Sequence, residues 1–340
     1  MRSLRSHPLS RRAFVGAAAG LAAAAALPRP ARAQSRVKIG YIPVLSVGPL
    51  FLAQERGYLR EAGLDAEMVR FNSGAEMVVA LGTGELAAGY GGASPGLLNA
   101  WSRGVHTLLV ADGSQFLPGY GYVMMVVRSD LADAIRAGSD LRGRHVGMSV
   151  VGSVVDYVVR NLLEQSGLTL DDVDVVRLPS ADVNAGLAGR TLDVAGVAEP
   201  HGALAEQNGF ARKWLGGDQI VPGMQVAGLL VSDQASRDRA LTVALVAAYL
   251  RGVREFLPGQ TSDPAIVEVL QRWTGVDLES IRRAVPTYID PNGTMNVEDV
   301  RRQQAFWLRQ GVIDSAVAID AYVDGSYAAA AADLLGRVSP

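Results

Sequence analysis

Cysteine is absent from the 340 residues, lysine occurs only as Lys38 and Lys213, and histidine is confined to four positions. Without a thiol the chain forms no disulfide, iron–sulfur cluster or cysteine-ligated zinc site and offers no thiolate nucleophile. His7, His106, His145 and His201 include no pair at the spacing of helical metal ligands, so neither a metal nor another cofactor is expected. Aromatic residues make up only 6% of the chain. Beyond residue 33 no apolar run approaches the ~20 residues that a membrane-spanning helix needs. What is present is ordinary for globular protein: 49% apolar residues, 38 Gly and 15 Pro. A chain of this length can bury a core without cross-links, and it suggests two lobes of roughly 100–200 residues each.

The N-terminus is basic and acid-free, with Arg2, Arg5, Arg11 and Arg12 ahead of an apolar run from Phe14 to Leu27. Pro28, Pro30 and the small-residue pattern Ala31-Arg32-Ala33 follow. Charged, apolar and cleavage regions in that order predict a secretory signal peptide over residues 1–33. Ser10-Arg11-Arg12-Ala13-Phe14-Val15 resembles the twin-arginine export motif, which implies export in the folded state to the periplasm. Loss of the six arginines of this segment would take the formal charge from −2 to −8. Such an acidic chain without basic clusters is expected to bind neither nucleic acid nor an anionic membrane surface.

From Val37 onward, short β-branched runs alternate with longer helical periods. Val37–Ile42 reads as a strand, Pro43–Gly48 as a loop and the residues from Pro49 as a helix, followed by Gly63-Leu64 and a second strand from Asp65 to Phe71. About a hundred residues later the order recurs, with His145–Met148 as a strand, Val150–Val154 as a loop and Gly167-Leu168 matching Gly63-Leu64. Strand–helix alternation implies mainly parallel, doubly wound sheets, and the repeat implies two similar α/β lobes. Gly121–Arg128 and Gln225–Ser232 are apolar and strand-like, and they are expected to carry the chain between lobes as two hinge crossings. The expected division is 36–125 plus 230–335 for the first lobe and 126–229 for the second. The helical residues after Arg237 are expected to pack back on the first lobe.

In open α/β sheets ligands bind beyond the carboxyl ends of the strands, where helix N-termini leave N–H groups free. The loops predicted there are Pro43–Gly48 (with Ser46 and Val47), Asn72-Ser73-Gly74, Gly92-Ala93-Ser94 and Asp112-Gly113-Ser114 in the first lobe. In the second they are Ser149–Val154 (with Ser153), Ser180–Asp182 and Glu199-Pro200-His201. Ser and Gly suit helix caps and close approach of a ligand to the backbone. None of these loops carries Lys or Arg, whereas a bare multiply charged anion would want a basic fork. The expected ligand is a small organic anion, a sulfonate or carboxylate with an apolar body; an aromatic carboxylate and a neutral heterocycle also remain open. Glu199 and His201 allow two readings, an acid/base pair acting on a pyrimidine or aromatic substrate, or a capping carboxylate beside a surface imidazole. Asp156, Asp182 and Glu85 read as surface or capping groups, and Phe116, Leu117 and Tyr120 either as ligand contacts or as lobe packing.

Val37-Lys38-Ile39-Gly40-Tyr41, Pro49 to Tyr58, Gly63-Leu64-Asp65, Ala80 to Leu86, Gly91 to Pro95 and Asp140 to Arg144 occur in an order that resembles one family. These are the substrate-binding proteins of nitrate/sulfonate/taurine-type ABC importers; Leu187–Asp193 and Glu199-Pro200 extend the resemblance, which covers about residues 36–255. It implies a two-lobed type II periplasmic binding protein, a non-enzymatic receptor that closes on a small organic solute and delivers it to an ABC permease, and a monomer is expected. It also implies a ligand site drawn from Pro43, Ser46, Val47, Ser73, Ala93, Ser94, Ser114, Ser149, Ser153, Val154, Glu199 and His201, with Gln225 near the return crossing. Ala87 departs from the pattern, since the family often has Asp after Gly-Glu-Leu. The family also includes a pyrimidine synthase of thiamine biosynthesis that relies on a cysteine-rich segment, which this cysteine-free chain cannot present.

Overall fold

The computed structural model describes residues 34–71 and 74–339, so the expected signal peptide and Ser73 lie outside the described residues. Ten strands form two five-stranded sheets. The first contains β1 (Ser35–Tyr41), β2 (Leu64–Arg70), β3 (Ala88–Gly91) and β4 (Thr107–Gln115), joined by β10 (Gln225–Ser232), in the order β2-β1-β3-β10-β4. The second contains β5 (Val123–Arg128), β6 (His145–Met148), β7 (Asp174–Arg177), β8 (Val194–Ala198) and β9 (Ala211–Gly216), in the order β7-β6-β8-β5-β9. β1 pairs in parallel with β2 and β3, and β6 with β7 and β8. β10 is antiparallel to β3 and β4, and β5 to β8 and β9. In each sheet, therefore, four strands run one way and a single strand runs against them.

Those two reversed strands are the stretches expected to be crossings. Each is a full member of one sheet, and the boundaries expected at 125/126 and 229/230 fall inside β5 and β10. The passage between sheets is made by the flanking residues. Phe116 N–H donates to Met224 O at 3.0 Å, Gly223 N–H to Phe116 O at 2.8 Å, and Gly119 N–H to Asp218 Oδ2 at 2.8 Å, so the two crossings run side by side. The reversal has a topological cause. A chain that leaves the first sheet at the carboxyl end of β4 enters the second from the side its other strands point toward, and must run opposite to them.

Sequence chemistry explains the helices that face this junction. Ser94 is the N-cap of the helix Pro95–Ser102, its Oγ accepting from Leu97 N at 3.3 Å, with Pro95 in the first turn. Ser153 caps Val154–Gln165 in the same way, accepting from Asp156 N at 3.1 Å. The C-terminal helices pack on the first half, and two of them also reach the second. Arg239–Phe256 and Pro264–Thr274 lie on Gly48–Glu55, with Trp273 stacked on Phe51 at 4.9 Å. A Cβ at Gly252 would meet Pro49 O at 2.1 Å, so glycine is what permits this approach. Val297–Arg309, however, sets Phe306 and Trp307 against Tyr157 of the second half, with ring centres 4.7 and 5.4 Å away. Leu278–Arg283 packs on His201–Gln207, also of the second half. No helix among the described residues is long and apolar enough to cross a membrane.

Candidate solute-binding cleft

The carboxyl ends of the strands from both sheets open on one cleft with two adjoining chambers. The larger, about 430 Å³, runs between Met77, Ala93 and Ser94 on one side and Val150, Val151 and Tyr157 on the other, with Trp307 and Gln303 closing it. The smaller, about 230 Å³, is walled by Val44, Leu45, Tyr90, Tyr122, Ala198 and Val285. Ile42, Gly91, Gly92, Ser153, Val154 and Val226 line both, so the two spaces share a wall. Gly92 is needed at this junction because a Cβ there would lie 2.3 Å from Val226 O. The halves touch at the rim of the cleft, where Gly152, at φ +81°, comes so close to Pro95 that a Cβ would lie 2.9 Å from Pro95 Cγ.

Of the residues expected at the site, Ser46, Ala93, Ser94, Ser153, Val154 and Glu199 line the cleft. Pro43, Val47, Ser114, Ser149, His201 and Gln225 line neither chamber. Val47 is fully buried in the first half's core. Asp112 and Ser114 lie within β4 instead of in a loop, and Ser114 Oγ is 3.2 Å from the Tyr122 hydroxyl. Burial pushes that phenol up to about 12. Ser149 holds Arg177 through its carbonyl, which accepts from Nη1 at 2.5 Å. Phe116 is buried against Tyr122 and the backbone of Gly217, and Tyr120 packs edge-on to Tyr288, so these rings serve the crossings.

Glu199 is a structural tie rather than an available acid. Its Oε2 accepts from Ala203 N at 2.9 Å, and its Oε1 accepts from Lys213 Nζ and from Val285 N, both at 3.1 Å. The carboxylate thus caps the helix His201–Gln207 and bonds the second half to the C-terminal segment. The imidazole of His201 is pushed below its ordinary value by burial, with partial opposition from Glu199. Asp156, read as a surface or capping group, is fully buried between Arg160 Nε and Arg177 Nη1, both at 3.0 Å, and accepts from Gly152 N at 3.0 Å. This cluster fixes both ends of the 149–153 loop from behind. Neither arginine lines a chamber, and no Lys, Arg or His among the described residues does so. No group of three or more His, Cys, Asp or Glu among the described residues could hold a metal ion.

Gln225 belongs to a buried polar network behind the larger chamber. Its Nε2 donates to Asp112 Oδ1 and to Ala227 O, both at 2.7 Å, and its Oε1 accepts from Asn296 N at 2.7 Å. Asp112 Oδ2 accepts from Asp290 N at 2.6 Å, while burial pushes its carboxyl up to about 7. Gln303, Trp307 and Met224 were not expected at the cleft. Gln303 and Trp307 lie in a stretch that reads only as helix and Met224 just ahead of the expected crossing, and periodicity tells a buried face from an exposed one but not a core-facing side from a cleft-facing one.

Two α/β lobes around a shared cleft, joined by a double crossing, form the two-lobed fold that periplasmic binding proteins also have. The chain belongs to the NMT1-like family, which it matches over residues 31–256. A Brucella abortus (strain 2308) protein described as a candidate binding protein is 31% identical over 165 residues, 48% of each chain, so the chain spans about half the length of the curated relatives it matches. In fold it is similar to the periplasmic aliphatic sulphonate-binding protein SsuA from Escherichia coli, with a TM-score of 0.71 and 21% identity over 85% of this chain and 91% of that one. It is also similar to the desulfurization enzyme DSZB, with a TM-score of 0.65 and 20% identity over 89% of this chain and all of that one.

Proposed function

We propose that this protein is the solute-binding receptor of an ABC importer, exported to the periplasm by the twin-arginine route, where it takes up a small organic solute with an apolar body and presents it to a permease. The observation that carries this reading is the single cleft lined from both halves, mostly apolar, with two serine-capped helices opening on it from opposite sides. Contacts to both halves exist only while they are together, so a solute that makes them shifts the balance toward the closed state. Strong closure, from 1:99 to 99:1, requires about 5.5 kcal/mol of differential affinity. The halves in this reading are 35–115 with 225–335, and 123–216.

The competing reading, an enzyme with Glu199 and His201 as acid and base, is disfavoured by the three hydrogen bonds that occupy the Glu199 carboxylate and by the position of His201 outside both chambers. Small-angle scattering with and without a tight solute from a thermal-shift screen tests the receptor. Compaction with 1:1 uptake and no product is expected. An unchanged profile, or turnover that His201→Ala abolishes, overturns it.

A further inference from the structure

We infer that Gln303 sets the solute's chemical class: it demands a hydrogen-bond donor, so the protein prefers an uncharged amide-type head on an apolar body to an ionised sulfonate or carboxylate. This inference rests on the receptor reading above. Gln303 stands on the helix Val297–Arg309, is 3% exposed and lines the larger chamber. Its amide nitrogen has two hydrogens, and both are in use. One goes to Gln225 O at 2.8 Å and the other to Asp299 Oδ2 at 2.7 Å. Both partners only accept here. The first is a backbone carbonyl, and Asp299 already receives Gln225 N on Oδ2 at 2.7 Å and Arg302 Nη2 on Oδ1 at 3.0 Å. Turning the amide over would set its oxygen against two acceptors, so the orientation is imposed from behind. The polar atom left for the chamber is Oε1, which can only accept.

The other polar side chains of this chamber, Ser94, Ser153 and Tyr157, carry hydroxyls that can donate. Ser94 and Ser153 each receive their capping bond on Oγ, which leaves the hydroxyl hydrogen free to donate. In the first turns Leu97 N and Asp156 N are bonded to the cap serines and Pro95 has no N–H, which leaves Gly96, Val154 and Val155 as backbone donors without a helical partner. A head with oxygen acceptors toward these donors and an N–H toward Gln303 satisfies every group. An ionised head meets the donors, but it turns a negative oxygen on Oε1 and finds no cationic side chain at the wall. A site built to receive a donor discriminates strongly against analogues that lack it, because its buried acceptor is then left unpaired.

Three probes with one apolar body separate charge from donor: naphthalene-2-carboxamide is neutral with an N–H, methyl naphthalene-2-carboxylate is neutral without one, and naphthalene-2-carboxylate is ionised without one. Calorimetric titration of the full mature chain should give the amide a Kd at least ~10-fold below both others. A Gln303→Met variant should bind amide and ester alike. Because that variant also loses two buried bonds, the wild-type series stands as the independent measurement. An ester as tight as the amide, or a variant that keeps the amide preference, overturns the role of Gln303 and leaves the receptor standing. A carboxylate that binds tightest overturns both the uncharged head and the donor requirement of Gln303, and leaves the receptor standing. Binding by none of the three overturns both readings.

Discussion

Glu199 lies at a strand end two residues before a histidine, a pattern found in acid/base pairs and more often in helix caps. Its surroundings decide between them. The side chain of Glu199 is 1% exposed and accepts three hydrogen bonds, one of them from the C-terminal segment at Val285. Removing a buried charge from such a set strands its partners, which is costlier than the pair is worth. Lys213 is 28% exposed and recovers some solvation, which discounts the loss. Glu199→Ala is therefore expected to lower stability by about 2 kcal/mol in denaturant titration, whereas Glu199→Gln, which keeps an acceptor for the backbone donors, should lose less. Equal stability of all three proteins would show that the tie carries no load.

Among the elements, β5 and β10 matter most to the cleft, since each enters its sheet from the junction and sets where the crossings lie. The end of β10 is held by the network of Gln225, Asp112, Asp299 and Gln303, which joins β4, β10, the turn at Asp290 and the Val297–Arg309 helix. Asp112 makes this joint sensitive to pH. Burial raises its carboxyl to about 7 in the folded chain, against an ordinary value near 4 in the unfolded one. The fold holds a proton that the unfolded chain releases, so this group's stabilising contribution is full below about pH 4 and is lost as pH rises toward 7. Asp112→Asn has no such proton to lose, and its melting temperature should depend less on pH across that interval than the wild type's. An unchanged slope would place the titration in another group.

For the whole molecule, the C-terminal third lies across both lobes, through Tyr157 with Phe306 and Trp307 on one side and through Glu199 with Val285 on the other. Motion of one lobe against the other must load both bridges, so closure in this protein is restrained by more than the two crossings. The twin-arginine route proposed above would carry the chain across already folded, with these bridges formed. Exchange of Arg11 and Arg12 for lysine should therefore abolish delivery to the periplasm, measured by fractionation of cells that produce the full chain, and normal delivery of that variant would remove the twin-arginine proposal.

Local pattern was enough to read the alternation of strands and helices, the duplication after a hundred residues, the serine caps and the apolar, cation-free character of the loops. Each of these depends on a few neighbouring residues and on periods of two or 3.6. The destination of a side chain was not legible in this way. Val47, Ser114 and Gln225 stand next to the cleft in sequence yet face the core or the crossings, while Trp307 and Gln303 reach it from a helix about 250 residues further along than the first loop. Which face of an element meets the cleft, and whether a carboxylate such as Asp156 or Glu199 stays in water, depends on what packs against it from distant parts of the chain. Only the folded molecule brings those partners together.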